Sequence, residues 1–211
     1  MSVLNKIAYF QERRDEIPNQ ELARELANNN NKDGIKEVVE NLWNKEKNIQ
    51  SDCIKVLYEI GYLKPELISE YVLEFLKLLR VRNNRLIWGA MIALSTIASL
   101  KPKEIYEKLD DVYLAIKTGS TITLDNGIKT LALIAAVNEE YNKRIFPFLV
   151  EHLKTCKPRD VPQHAEKILV AVNERNKSDY EKVLDIRQND LSAAQIVRIK
   201  KIYKEISKLN A

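Results

Sequence analysis

The stretch Asn84–Leu100, NRLIWGAMIALSTIASL, decides how the rest of the chain is organised. After Arg85 it contains no charged residue, and a helix built from it is apolar on nearly every face. Such a helix must be covered by neighbours on more than one side. A membrane-spanning helix needs about 20 apolar residues, so this stretch is too short to cross a bilayer. It therefore predicts a central buried helix in a layered soluble protein.

The composition predicts an all-α chain folded as one domain. The 211 residues are 45% apolar and 30% charged, with only 5 Gly and 6 Pro. No segment alternates apolar and polar residues as a half-buried strand does. The N-terminus lacks the apolar core of a secretory signal and instead favours a short amphipathic helix. Two cysteines about a hundred residues apart form no disulfide framework, so a reduced, cytoplasmic protein is expected.

The net charge of +4 comes from the end of the chain. From Leu191 onward there are five bases and one acid, which account for the whole excess. The remainder is balanced, so the overall charge gives little support to nucleic-acid binding.

A repeat of 37 residues organises the chain from residue 33 to residue 173. Three apolar positions recur in four successive units with the spacing i, i+3 and i+6 of one helical stripe. These are Ile54, Met91, Ile128 and Ala165; Leu57, Leu94, Leu131 and Ile168; and Ile60, Ile97, Ile134 and Ala171. The turn Leu63-Lys64-Pro65 also recurs 37 residues later as Leu100-Lys101-Pro102.

Each unit is predicted to be a pair of antiparallel helices. The first members are expected at residues 65–80, 103–117 and 140–155, and the second members at 51–62, 84–99, 124–138 and 162–173. Further helices are expected at 20–27, with Asn19 as its cap, from Asp33 as cap to about Trp43, and at 177–187 and 192–209. Residues 1–32 and 174–211 are interpreted as capping segments on either side of the repeats.

The pattern resembles the HEAT-repeat and armadillo-type α-solenoid family. The second helices NNRLIWGAMIALSTIA and LDNGIKTLALIAAV open at an Asn or Asp and continue as alanine-rich apolar runs. The first helix RIFPFLVEHL carries Pro147 in its interior, as HEAT first helices often do. The resemblance implies a right-handed α-α superhelix of about five helical pairs, whose second helices line a concave binding face.

One repeat position predicts where helices approach most closely. It is occupied by Cys53, Ala90, Gly127 and His164, of which the first three are small. Packing is expected to loosen at His164.

Catalytic and metal motifs are absent from the sequence. The two histidines, His152 and His164, belong to no HExxH or His-Glu arrangement, and no glycine-rich phosphate loop occurs. No cofactor, metal or catalytic residue is therefore predicted, and a structural role is expected for both histidines.

A partner-binding surface is predicted around Trp88. Asp125 lies 37 residues later, at the equivalent place of the next unit. Together with Ile92 as a second apolar anchor and a polar rim of Lys55, Asp125 and Lys129, Trp88 would contact a partner. The alternative is structural: Trp88 packs into the core and Asp125 caps its helix.

A second candidate surface is a basic ridge along the ends of the first helices. Its residues are Arg80, Arg82, Arg85, Lys117, Lys154, Lys157 and Arg159. Such a ridge suits phosphates. The alternative is that cations at helix C-termini stabilise the helix dipole, for about 0.3–1 kcal/mol each.

These features favour a non-catalytic protein-interaction module without a transmembrane segment. Extended repeat surfaces recognise partners by area and shape, so no short motif is expected. The alternative is a DNA-binding protein or a repair glycosylase similar to the alkylpurine DNA glycosylases built on HEAT-like repeats. In that family, aromatic side chains and an aspartate flank a damaged nucleotide.

Overall fold

The computed structural model describes residues 2–208, and every regular element in that range is helical. The α-helices are α1 (Ile17–Asn28), α2 (Lys32–Glu40), α3 (Lys47–Leu63), α4 (Val72–Leu78), α5 (Asn84–Ile97), α6 (Pro102–Tyr106), α7 (Leu109–Thr118), α8 (Thr121–Ala135), α9 (Glu139–Thr155), α10 (Val161–Ile168), α11 (Lys177–Arg187) and α12 (Ala193–Ser207). Between residues 2 and 208 no helix is long and apolar enough to cross a membrane.

The chain divides into two compact units, one ending at Gly127 and the other beginning at Ile128. In the first unit α1 packs on α3, α3 on α5 and α4 on α5. In the second unit α9 packs on α11, and α10 packs on α12. The division into a repeat region and two capping segments stays a prediction.

The apolar register predicted from the 37-residue repeat is confirmed. All twelve side chains of the three repeated positions are buried, from Ile54 in α3 to Ala171 just after α10. A Leu or Ile side chain removed from water contributes about 1.5–3 kcal/mol. The shared stripe is therefore the main source of stability for the second helices α3, α5, α8 and α10.

The predicted first helices are less regular than their sequence pattern. The segment 65–80 contains two short 3-10 turns, Pro65–Leu67 and Ser69–Tyr71, before α4 begins at Val72. The segment 103–117 is divided into α6 and α7 around Lys108. Only α9 is continuous, with Pro147 inside it.

The helix caps differ from the predicted ones. Asn31, rather than Asp33, caps α2 by accepting a hydrogen bond from the Gly34 N–H at 2.9 Å. Asn19 lies inside the first turn of α1 and is fully buried. Its Oδ1 accepts from the Ala8 N–H at 2.9 Å, and its Nδ2 donates to Asp52 at 2.8 Å. Asn19 thus fixes the N-terminal segment against the repeats.

The N-terminal segment forms two 3-10 turns, Val3–Lys6 and Tyr9–Gln11, instead of the predicted amphipathic helix. Ile7 and Ala8 between them are buried. At the other end, α12 begins with a capping box formed by Ser192 and Gln195. Its apolar stripe is buried at Ile199, Ile202 and Ile206. Leu209, which the sequence places on the same stripe, lies outside the described residues.

The small-residue repeat position marks a close approach, as predicted. Cys53 and Ala90 are fully buried. A Cβ atom added to Gly127 would lie 2.4 Å from Cγ1 of Ile116 in α7. Only glycine fits there without moving its neighbour. The expected loosening at His164 is wrong, because that side chain is 0% exposed.

Candidate functional site

The predicted anchor Trp88 lies half-buried on α5, between an aromatic ring and a cation. Its ring centroid is 5.9 Å from that of Tyr58 on α3. The guanidinium carbon of Arg85 lies 5.2 Å from the Trp88 centroid, within reach of a cation–π interaction. Residues spaced three and four apart share one face of a helix, which places Arg85 beside Trp88.

The same spacing places four polar and aromatic side chains on the adjacent face of α3. They are Lys55, Tyr58, Glu59 and Tyr62. Together with Glu16, Arg85 and Trp88 they form what we call the Trp88 cluster. Tyr62 packs edge-on against Tyr58 at 6.1 Å and is 54% exposed. The sequence prediction missed both tyrosines, although their i, i+4 spacing and the helix period were readable.

Two cations of the Trp88 cluster meet at one carboxylate. Glu16, at the start of α1, pairs with Lys55 Nζ at 2.8 Å and with Arg85 Nη2 at 2.5 Å. Lys55 Nζ also donates to Glu59 at 2.7 Å and lies 4.8 Å from the Tyr58 ring centroid. Arg85 Nε is buried and has no hydrogen-bond partner among the described residues. Arg85 is therefore the incompletely satisfied member of the network.

The ion pairs shift the pKa values of their members. Burial alone raises the pKa of Glu16, but hydrogen bonds from Lys55 and Arg85 outweigh it and hold this pKa below its ordinary value of 4.5. Burial alone lowers the pKa of Lys55, but hydrogen bonds to Glu16 and Glu59 raise it above 10.5. Each charge thus stabilises the charged form of its partner.

Two predicted contact residues are not accessible in the structure. Ile92 is 6% exposed because it faces the core. Lys55 is 5% exposed because its ammonium is held between Glu16 and Glu59. Their assignment as an exposed anchor and a rim residue is wrong.

The other predicted rim residues lie on α8. Asp125 and Lys129 are both half-buried. Because α8 begins at Thr121, Asp125 lies one turn inside the helix. It is not the N-cap that the structural alternative supposed. Lys129 belongs to the second compact unit.

The predicted basic ridge is only partly neutralised by ion pairs in the first unit. Arg80 pairs with Asp111 of α7 at 2.7 Å, and Arg85 pairs with Glu16. Arg82 and Lys117 are exposed. In the second unit, Lys154 pairs with Glu151 at 3.3 Å and Arg159 with Asp160 at 3.4 Å, while Lys157 is exposed. Lys117 and Lys154 lie in the last turns of α7 and α9, as the helix-dipole explanation requires.

An open cleft of about 540 Å³ lies beside the Trp88 cluster in the first unit. Arg85 and Glu16 form part of its wall. Its other charged lining residues are Glu12, Arg13, Arg14, Asp15 and Asp52. Four acids and three bases thus surround the cleft, and the Trp88 cluster opens onto a polar groove.

A second group of functional side chains lies in the other compact unit. His152 Nε2 of α9 and His164 Nδ1 of α10 are 2.8 Å apart. One ring nitrogen of each histidine and the thiol sulfur of Cys156 lie within 4.8 Å of one another. Burial raises the pKa of the Cys156 thiol. A structural role is predicted for the two histidines from the sequence, although the i, i+4 spacing of His152 and Cys156 on a helix indicates that they share a face.

Arg187 holds the backbone next to this second group. It is 5% exposed, at the end of α11. Its Nη1 donates to the Leu153 carbonyl and its Nη2 to the Cys156 carbonyl, at 2.8 Å for the latter. Its Nε pairs with Asp190 at 3.0 Å. The Leu153 and Cys156 carbonyls, which lie at the end of α9 where helix carbonyls lack intrahelical partners, thereby accept hydrogen bonds from a charged donor.

Comparisons with known proteins identify the fold. No protein-family model matches the chain, and no curated protein matches it. An engineered protein of known structure is 19% identical, with a TM-score of 0.64 over 99% of this chain and 98% of that one. A designed armadillo repeat protein in complex with the peptide (KR)4 is 15% identical, with a TM-score of 0.67 over 88% and 85%.

A natural protein shares the fold as well. The karyopherin Kap121p, bound to the SUMO protease Ulp1p, is 12% identical with a TM-score of 0.69. The match covers 98% of this chain but only 23% of the karyopherin. Such low identity establishes the fold alone. The chain has the all-α repeat fold of armadillo and HEAT-like solenoid proteins.

Proposed function

We propose that the chain is a non-catalytic protein-interaction module and that the Trp88 cluster binds a peptide segment with Arg or Lys side chains. The similar folds support the general role: the designed armadillo protein binds the peptide (KR)4, and the karyopherin binds a protein. Both cysteines are free thiols, which supports a reducing, cytoplasmic location.

The position of Arg85 carries the proposal. Its guanidinium lies over the Trp88 ring and pairs with Glu16. An aromatic face beside a carboxylate is a recognition site for a cationic side chain. Arg85 is thus an intramolecular occupant of a site that an arginine of a partner would fit.

Displacing Arg85 requires little free energy. Its side chain is 36% exposed, and ion pairs of this exposure contribute about 0–1 kcal/mol. A cation–π contact at such a site adds about 0.5–1 kcal/mol. Glu16 keeps Lys55 as a partner when Arg85 leaves. A peptide that gains a few kcal/mol at Trp88 can therefore replace it.

The adjoining cleft extends the site beyond one side chain. A peptide residue on Trp88 would place its neighbours along the walls formed by Glu12, Asp15 and Asp52. Glu12 and Asp52 favour further basic residues, whereas Asp15 is already paired with Arg13. The exposed Tyr62 ring, which packs against Tyr58, offers a second aromatic face.

Selection from a displayed library of random peptides tests this function. Immobilised wild-type protein is expected to enrich sequences with spaced Arg or Lys residues. Trp88→Ala is expected to lose these sequences. The matched control is Trp43→Ala, which removes the other tryptophan of the chain, 47% exposed and bonded to Glu74. Enrichment of acidic peptides by the wild type would contradict the proposal. Enrichment of the same basic peptides by Trp88→Ala would contradict it as well.

DNA binding receives less support than peptide binding. Four of the seven ridge cations are paired with carboxylates, so fewer are available to neutralise phosphates. The Trp88 face that a flipped base would stack on carries Arg85. We expect no duplex DNA binding even at low salt, where such binding is strongest. A gel-shift titration measures this.

A further inference from the structure

We propose that His152, Cys156 and His164 form a zinc site with one coordination position open to solvent or to an external ligand. The proposal is independent of the Trp88 cluster, because all three residues lie in the second compact unit. Both histidines of the chain take part. The three candidate ligand atoms already lie within 4.8 Å of one another.

The donor set identifies the class of metal. Two imidazoles and one thiolate are borderline-soft ligands, which Zn²⁺ prefers over the oxygen ligands of Mg²⁺ or Ca²⁺. Zinc sites with three protein ligands keep a fourth position for water or another ligand. A His₂Cys set in a helical-repeat scaffold fits that description.

Zinc coordination requires both the nitrogen pair and the sulfur to shift from their present distances. Zn–N bonds of 2.0–2.1 Å at tetrahedral angles separate two nitrogens by about 3.3 Å, and a Zn–S bond of about 2.3 Å places sulfur about 3.6 Å from nitrogen. The two imidazole nitrogens are 2.8 Å apart in the structure, where one donates to the other. The ion is admitted when the nitrogen pair opens by about half an ångström and the sulfur, now within 4.8 Å of the nitrogens, moves to about 3.6 Å from them. The donating histidine then carries its proton on the other ring nitrogen, and only the thiol proton leaves to solvent.

The surrounding contacts hold the three ligands in place. Cys156 is the C-cap residue of α9, and its N–H donates to the His152 carbonyl at 2.8 Å. Arg187 fixes the Cys156 carbonyl. The buried Tyr180 hydroxyl donates to the Ala165 carbonyl at 2.6 Å, next to His164. The site is therefore built before any metal arrives, as preorganised ligation requires.

One positive charge lies close to the sulfur. Arg187 Nη1 lies 4.0 Å from Cys156 Sγ. The guanidinium thus lies beside the sulfur atom that would carry negative charge when it ligates zinc. One zinc and one thiolate together carry a single positive charge, and Asp190 partly neutralises the arginine.

Cobalt(II) titration of the full chain tests the site spectroscopically. One Co²⁺ per chain is expected, with a sulfur-to-cobalt charge-transfer band and the intense visible bands of tetrahedral cobalt. Zn²⁺ is expected to displace it. Cys156→Ser should abolish the charge-transfer band, and His152→Gln should weaken binding by at least about tenfold. The matched control Cys53→Ala removes the other thiol. It should leave the charge-transfer band and the cobalt affinity unchanged.

A second readout uses the wild-type chain and so does not depend on the folding of a variant. Because the chain has two histidines, both expected in the site, zinc should shift the imidazole NMR signals of both. Zinc at one hundred times Kd should raise Tm by roughly 5–10 °C. No charge-transfer band, octahedral cobalt, unshifted histidine signals, or retention of the band in Cys156→Ser would each overturn the proposal. Binding of Cu(I) but not of zinc would overturn the choice of metal.

Discussion

Arg85 in the first compact unit and Arg187 in the second show two different uses of an arginine in this fold. Arg187 is almost completely buried and donates to two backbone carbonyls at the end of α9. Arg85 is partly exposed, lies over Trp88 and leaves its Nε without a partner among the described residues. Arg187 fixes the backbone, whereas Arg85 covers an aromatic surface. The number of hydrogen-bond partners and the degree of burial, rather than the residue type, distinguish a structural side chain from a displaceable one.

The largest effect is expected from Arg187→Ala. The substitution leaves the Leu153 and Cys156 carbonyls without their charged donor in a buried place. We expect the free energy of unfolding to fall by about 3–5 kcal/mol. Urea denaturation measures this loss. Arg175→Ala is the control, because that arginine is 70% exposed and pairs with Glu139 at the surface. The expected loss of unfolding free energy for Arg175→Ala is below about 0.5 kcal/mol. Equal losses for the two variants would contradict a structural role specific to Arg187.

The next effect concerns the small-residue position of the repeat. Gly127→Leu places a side chain against Ile116, where even a Cβ comes within 2.4 Å. We expect a loss of about 1–3 kcal/mol from overpacking. Thr121→Leu on the same helix is exposed and serves as the control. Thermal unfolding of both variants checks the expectation. An unchanged Tm for Gly127→Leu would show that α7 and α8 can separate freely.

Arg85→Ala is expected to change stability by about 1 kcal/mol or less, since its ion pair is exposed. The same variant should bind a selected basic peptide more tightly, because the intramolecular competitor for Trp88 is gone. A gain of about 1 kcal/mol corresponds to a roughly fivefold lower Kd. Fluorescence anisotropy with a labelled peptide measures the change. Weaker binding would mean that Arg85 contacts the peptide directly.

The smallest effect is a dependence of stability on acid pH. The folded pKa of Glu16 is depressed below 4.5, so its contribution is complete above that pH and is lost as the pH falls through and below 4.5. Because Glu16 is 40% exposed, the loss should stay below about 1 kcal/mol. Glu16→Gln should show a smaller fall in Tm between pH 6 and 3 than the wild type. The exposed control Glu21→Gln should follow the wild type.

The sequence predicted the repeat fold because the second helices carry their own register. The recurring stripe from Ile54 to Ile168 is set by local periodicity, and its burial needs no knowledge of distant contacts. The first helices were predicted less well. The segment after Pro65 forms 3-10 turns before Val72, a local backbone geometry that apolar spacing does not specify.

The functional side chains depend on contacts that cross many residues of sequence. Arg85 meets Glu16 across 69 positions, and Arg187 reaches Cys156 across 31. A pattern of charges along one helix gives no indication of such partners. The repeat position did indicate burial at Cys53 and Ala90, but looser packing was expected at His164, which is also buried. It did not indicate that the histidine in the fourth repeat would meet His152.

The central proposal is that Trp88 anchors a partner, and one affinity measurement tests it most directly. A peptide selected on the wild type is titrated against wild type, Trp88→Ala and Trp43→Ala. Loss of a central aromatic anchor costs about 2 kcal/mol or more, so Kd should rise roughly thirtyfold for Trp88→Ala. It should change less than about twofold for Trp43→Ala. Equal affinity of wild type and Trp88→Ala would contradict the account.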